Sequence, residues 1–156
     1  MLPEHQSLHL PRRATLSHLP GSCFKLLPEA KSLQKYFLIA FGGALGSIAR
    51  FWIGSTVANR LGTRFPYGTF VINLTACVII GFSLTFLAKR TGLSPAWRFL
   101  LPIGFVGAYS TFSTYEWETL SLLRGGTFLL AFLYAVGSLF LGLLAVWCGA
   151  RLAESF

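Results

Sequence analysis

Apolar residues along this chain gather into four long runs separated by short polar breaks. "YFLIAFGGALGSIARFWIGSTVA" (Tyr36 to Ala58) is the first, "YGTFVINLTACVIIGFSLTFLA" (Tyr67 to Ala88) the second, Ala96 to Leu123 the third and Thr127 to Ala150 the fourth. About 20 consecutive apolar residues cross the hydrocarbon core of a bilayer as a helix, so each run predicts one transmembrane helix. None carries the polar face of a helix lying on a soluble core, and four such runs in succession argue against buried helices of a large soluble protein. The pattern predicts an all-α membrane protein with four transmembrane helices in residues 35–153. Residues 1–34 form a basic N-terminal extension whose Pro3, Pro11, Pro20 and Pro28 and lack of periodicity predict flexibility. Its stretch "ATLSHLPGSCF" is interrupted by His18 and Pro20 and does not match the continuous apolar core of a secretory signal.

Composition agrees with the pattern. Hydrophobic residues make up 54% of the 156-residue chain, charged residues 12%, and mean hydropathy is +0.63, against about 25% charge in a soluble domain. The net charge of +8 does not point to nucleic acid, because the thirteen basic residues are scattered between apolar runs and no helix repeats a basic face. They flank the spans and suit a membrane surface, including anionic lipid near the extension. Lys31, Lys35, Lys89, Arg90, Arg98 and Arg151 fall on one side of the predicted membrane; Arg60, Arg64 and Arg124 fall on the other. That orientation signal is weak, and without Lys31 and Lys35 it is four against three. Cys23, Cys77 and Cys148 have no metal-ligand spacing and read as small hydrophobes, while His5, His9 and His18 all lie in the extension.

Polar residues inside the spans carry the candidate chemistry. Gly42/Gly46, Gly43/Ser47 and Ser138/Gly142 are small-xxx-small pairs suited to close helix packing. Arg50 lies within the first span; an intramembrane charge of this kind usually faces protein or water, and a vestibule or structural role is favoured over snorkelling to the interface. Asn73, early in the second span, offers an amide either to an anion or to a neighbouring helix.

The third span is the least ordinary. Its "GFVGAYST" mixes glycines with hydroxyls that compete for backbone groups, so the helix is expected to break near its middle. A break at membrane depth persists only where it is buried or lines a cavity, and its freed carbonyls can hold a cation. Beyond it, Thr111, Thr114 and Glu118 form one stripe and Phe112, Tyr115 and Thr119 the adjacent one. Donor hydroxyls beside electropositive ring edges suit a small hard anion shedding its water, with Tyr134 and Ser138 of the fourth span as further donors. Glu116 and Glu118 sit toward the watery end.

These residues resemble the Fluc (CrcB-type) fluoride channels of bacteria. "GGALGSIARF" resembles that family's first-helix signature, "YGTFVINLTACVIIG" its second and "GFVGAYSTFST" its third-helix break, over about Tyr36 to Arg151. The resemblance implies a multi-pass protein of the bacterial inner membrane that lets fluoride leave the cell passively. It implies an antiparallel, dual-topology homodimer with two pores, in keeping with the weak charge bias, and a structural Na⁺ at the dimer interface held by the backbone carbonyls of Gly107 and Ser110. The implied fluoride path comprises Asn73, Phe112, Ser113, Thr114, Tyr115, Tyr134 and Ser138, with Arg50 and Glu118 at a pore end or vestibule.

Three positions depart from the family pattern: Tyr115 where phenylalanine is usual, Ser110 for a threonine, and Gly142 where a hydroxyl is common. A small dual-topology multidrug-type transporter is the alternative, but such proteins need a carboxylate in the first span, which here has Arg50 and no acid. A non-transporting assembly factor would leave the hydroxyl and aromatic stripes without a use. An enzyme is disfavoured, because no base accompanies Ser110 or Ser113.

Overall fold

The computed structural model describes residues 30–156; the extension up to residue 29 lies outside the described residues, and residues 30–34, assigned above to the extension, are helical. Every regular element among the described residues is a helix. Helix α1 (Ala30–Leu61) is 32 residues long, about 48 Å at the usual rise. It stops at Gly62, whose φ of +81° is a left-handed conformation open to glycine and whose N–H donates to the Ala58 carbonyl at 2.9 Å. Helix α2 (Tyr67–Lys89) follows Pro66. The last helix, α6 (Phe128–Glu154), comes after a turn closed by Gly126 at φ +74°.

The third apolar run is not one helix. It opens with α3 (Ala96–Arg98) and winds into a π-helix (Phe99–Val106) containing Pro102. Proline has no N–H and its ring crowds the carbonyl four residues back, which a regular α-helix does not tolerate; wider winding accommodates it. After α4 (Gly107–Tyr109), Ser110 and Thr111 are extended, and α5 (Phe112–Arg124) then begins. The break expected from "GFVGAYST" therefore falls at Ser110 and Thr111.

Three helical stretches are long and apolar enough to cross a bilayer: Leu33–Leu61, Tyr67–Lys89 and Phe128–Glu154. Together they make the chain a multi-pass membrane protein. The helices meet at glycines. A Cβ on Gly42 would strike the Leu100 carbonyl, and one on Gly46 the Phe105 carbonyl, so the Gly42/Gly46 pair brings α1 backbone-to-backbone onto the π-helix. Gly43 makes only ordinary contacts and Ser47 is exposed, so the second pair does not share that close approach. Helices α2 and α6 interlock reciprocally: Gly81 lies against the Val146 carbonyl and Gly149 against that of Val78. Gly142 of the third pair faces Cys77 Sγ at a distance, from its notional Cβ, of 3.5 Å.

The buried core is small. Ile72, Ala76, Val106 and Tyr109 form its centre, with Ala49, Ile53, Ile79, Ile80 and Phe105 against them. Large side chains such as Phe51 (77% exposed), Trp52 and Phe140 point outward. In water so much exposed apolar surface would drive association; in lipid it is the ordinary exterior of a span.

Candidate functional site

The break is built from backbone groups that the helix has released and side chains that recapture some of them. In an unbroken helix the Thr111 N–H would donate to the Gly107 carbonyl four residues back. Here it donates to Asn73 Oδ1 at 2.9 Å, and Asn73 Nδ2 donates to the Thr111 carbonyl at 3.2 Å. An extended residue turns its own N–H and C=O to the same side, as in a hydrogen-bonded strand pair, and one primary amide answers both. Thr111 has that conformation, with φ −149° and ψ +114°.

Thr111 also caps the helix that follows. The Thr114 N–H donates to Thr111 Oγ1 at 3.3 Å, satisfying one of the orphan donors of α5. The Thr111 hydroxyl in turn donates to Thr114 Oγ1 at 2.9 Å. On the other side of the break, the Ser110 N–H and hydroxyl both donate to the Val106 carbonyl, at 3.0 and 3.1 Å. No N–H among the described residues donates to the carbonyls of Gly107 or Ser110. Tyr109, buried beneath, shares a 2.8 Å hydrogen bond with the Thr75 hydroxyl.

Glu118, two turns along α5, accepts two hydrogen bonds. Thr69 of α2 donates to Oε1 and the Tyr134 phenol of α6 donates to Oε2, each at 2.8 Å. One carboxylate thus joins three helices, and charge-assisted bonds of this kind are among the stronger ones. Tyr134 is completely buried. The Tyr115 hydroxyl donates to the Ala135 carbonyl at 3.1 Å, which ties α5 to α6 a second time.

Aromatic rings run through the same region. Phe65 meets Tyr134 edge-on at 5.3 Å between centroids, Tyr134 meets Tyr115 at 5.1 Å, and Tyr115 meets Phe112 at 5.8 Å. The line ends at Phe112, which is 74% exposed. Among the hydroxyls, those of Tyr115, Tyr134 and Thr111 are spent on protein acceptors. The Thr114 oxygen accepts from Thr111 and keeps its own proton, Ser113 is exposed, and the buried Ser138 Oγ has no partner among the described residues.

Two cavities flank the break. The larger, about 690 Å³, is lined by Arg50, Arg64, Thr69, Thr114 and Glu118 among others. The smaller, about 400 Å³, is lined by Asn73, Cys77, Gly107, Ser110 and Phe112. Thr111 borders both. Of the residues singled out in the sequence, Arg50, Thr114 and Glu118 therefore come together on the first cavity, and Asn73, Phe112, Gly107 and Ser110 on the second. Tyr115 and Tyr134 stack behind them, and Ser113 and Ser138 border neither.

Thr69, Thr75 and Phe65 lie outside the residues that the sequence pattern marks, yet each holds a polar or aromatic member of the site in place. Thr69 had a legible signal, since it precedes Asn73 by one helical turn inside "YGTFVINLT". Carbonyls released from helix bonding suit a hard monovalent cation, and those of Gly107 and Ser110 fit that requirement. No cluster of three or more His, Cys, Asp or Glu occurs among the described residues.

Comparison with known proteins places these features in context. The family described as "CrcB-like protein, Camphor Resistance (CrcB)" matches residues 37–150. A protein of Acidobacterium capsulatum named fluoride-specific ion channel FluC is 56% identical over 116 residues, covering 74% of this chain and 93% of that one. Its namesake in Solibacter usitatus is 47% identical over 78% of this chain and 99% of its own length. Another, in Flavobacterium psychrophilum, is 40% identical over 78% and 98%.

Proposed function

The chain belongs to the CrcB-like family, and we propose from that membership and from the site that it is a fluoride-specific channel giving passive efflux of fluoride and so lowering its cytoplasmic concentration. The observation that carries the reading is the junction at Thr111, where a broken helix lies between two cavities, one bordered by the spare hydroxyl proton of Thr114 and the other by the exposed Phe112 ring. Fluoride holds its water tightly, so a path must offer donors and positive ring edges in place of the hydration shell. Thr114, Ser113 and Ser138 supply the unspent O–H groups, Phe112 the accessible ring, and Tyr115 and Tyr134 the rings stacked behind it. Asn73 borders the path, and Arg50 gives the larger cavity a positive wall that draws anions in. Glu118 shares that wall, and the hydrogen bonds it accepts from Thr69 and Tyr134 lessen its repulsion of an anion.

The functional unit in this reading is an antiparallel, dual-topology homodimer in the bacterial inner membrane, with residues 96–124 supplying the fourth crossing. Exposed Phe112 and the Gly107–Ser110 edge face the second copy, where the released carbonyls of Gly107 and Ser110 hold a structural Na⁺. When bound, the ion would supply positive charge to the partly negative carbonyl oxygens of Gly107 and Ser110.

Planar-bilayer recording tests the proposal against a drug-transporter reading. A fluoride channel gives steady current whose reversal potential follows the fluoride gradient and ignores a proton gradient. Current that reverses with the proton gradient, or none without a cationic drug, would establish the transporter instead.

A further inference from the structure

Asn73 invites the role of fluoride ligand, yet its amide is already engaged at both ends. Oδ1 accepts from the Thr111 N–H at 2.9 Å and Nδ2 donates to the Thr111 carbonyl at 3.2 Å, leaving one N–H of the side chain uncommitted. Among the described residues, Thr111 alone borders both cavities. The side chain that grips its backbone thus fixes the partition between them.

We infer that Asn73 is a positioning residue: its amide acts as a latch that holds Thr111 extended, and the latch sets the geometry of the break from which the conducting path is built. Without it, the Thr111 N–H lies four residues from the Gly107 carbonyl, the partner an α-helix would give it. Re-forming that bond would carry helix α4 through Ser110 and Thr111, cancel the Gly107 carbonyl as a free acceptor and draw the Thr111 hydroxyl away from its cap on Thr114. A second choice, leaving both Thr111 groups unpaired away from water, is costly. The latch removes both alternatives at once, which an apolar residue or a serine, too short to reach two backbone atoms, does not do.

The consequence for conduction rests on the fluoride-channel reading; the consequence for the backbone does not. Two readouts on the full-length protein in lipid vesicles separate them. Solid-state NMR Cα and Cβ shifts of Thr111 should move from extended toward helical values in Asn73→Ala, as its N–H turns to the Gly107 carbonyl, while shifts within α2 stay as before. The second readout is fluoride flux after the Ser110–Thr111 peptide is replaced by an ester, with Thr111 incorporated as its α-hydroxy acid; every side chain, Asn73 included, stays in place.

A latch predicts that the ester alone, which keeps the Asn73 bond to the Thr111 carbonyl and has no N–H to give the Gly107 carbonyl, conducts better than Asn73→Ala. It also predicts that adding the ester to Asn73→Ala restores flux several-fold, because the helical bond cannot re-form. No recovery in that double variant would overturn the latch in favour of direct contact with the ion. Thr111 shifts unchanged in Asn73→Ala would overturn it outright. If the unmodified chain passes no fluoride, the channel reading falls, and the shift measurement still decides the latch.

Discussion

Tyr134 of α6 and Glu118 of α5 are joined by a 2.8 Å hydrogen bond in which the phenol donates to Oε2, and the tyrosine is fully buried. Glu118 receives its other bond from Thr69, so two donors on two helices share one carboxylate. Tyr134→Phe leaves the ring in its stack between Phe65 and Tyr115 but exposes half of the carboxylate to an unpaired environment. A hydrogen bond to a charged group is worth about 1.5–3 kcal/mol. Thermal unfolding in detergent should show a loss of that order, and fluoride flux should fall because the larger cavity gains an unscreened negative charge. Glu118→Gln in the Tyr134→Phe background should restore part of the flux; no recovery would mean that the charge is not what hinders the ion.

Tyr115→Phe separates the ring from the hydroxyl. The hydroxyl donates to the Ala135 carbonyl rather than into a cavity, so its removal should cost about 1 kcal/mol of stability and leave conduction in place at an altered rate. Complete loss of flux in vesicles would show that the hydroxyl handles the ion itself.

Glycine contacts predict a contrast along α6. An added Cβ at Gly149 has no room against the Val78 carbonyl, whereas one at Gly137 has nothing within 4 Å. Gly149→Ala should therefore destabilise by about 1–3 kcal/mol or more through overpacking of the α2–α6 seam. Gly137→Ala should be neutral or stabilising, since alanine is the better helix former. Melting temperatures of the two variants in one detergent check the sign of each.

Four apolar runs, the break in the third and the polar stripes beyond it were legible because each is a local property of composition and spacing. "GFVGAYST" announces a helix that cannot continue, and the structure puts its extended residues at Ser110 and Thr111. What the string does not carry is the pairing across helices. Asn73 meets Thr111 only because of the depth at which α2 lies beside the break, and Thr69 meets Glu118 from the next turn of the same face. Gly81 and Gly149 look like ordinary span glycines until α2 and α6 are set in register. Hydropathy reports that a run prefers lipid; it holds no information about which neighbour the run will touch.

Phe112 is the ring left open at the end of the aromatic line, 74% exposed and 5.8 Å from Tyr115. Phe112→Ile keeps the apolar volume and removes the electropositive ring edge. Flux should be abolished while crosslinking in vesicles still captures a dimer. Normal flux would remove Phe112 from the path.

The most direct measurement is fluoride release from vesicles carrying the purified chain, loaded with potassium fluoride and followed with a fluoride electrode. Adding valinomycin lets potassium leave with the anion, and the expected trace is rapid release of fluoride, with little chloride release from parallel chloride-loaded vesicles. Release no faster than from protein-free vesicles, or equal loss of chloride, would contradict a fluoride-specific path at Thr111 and Phe112.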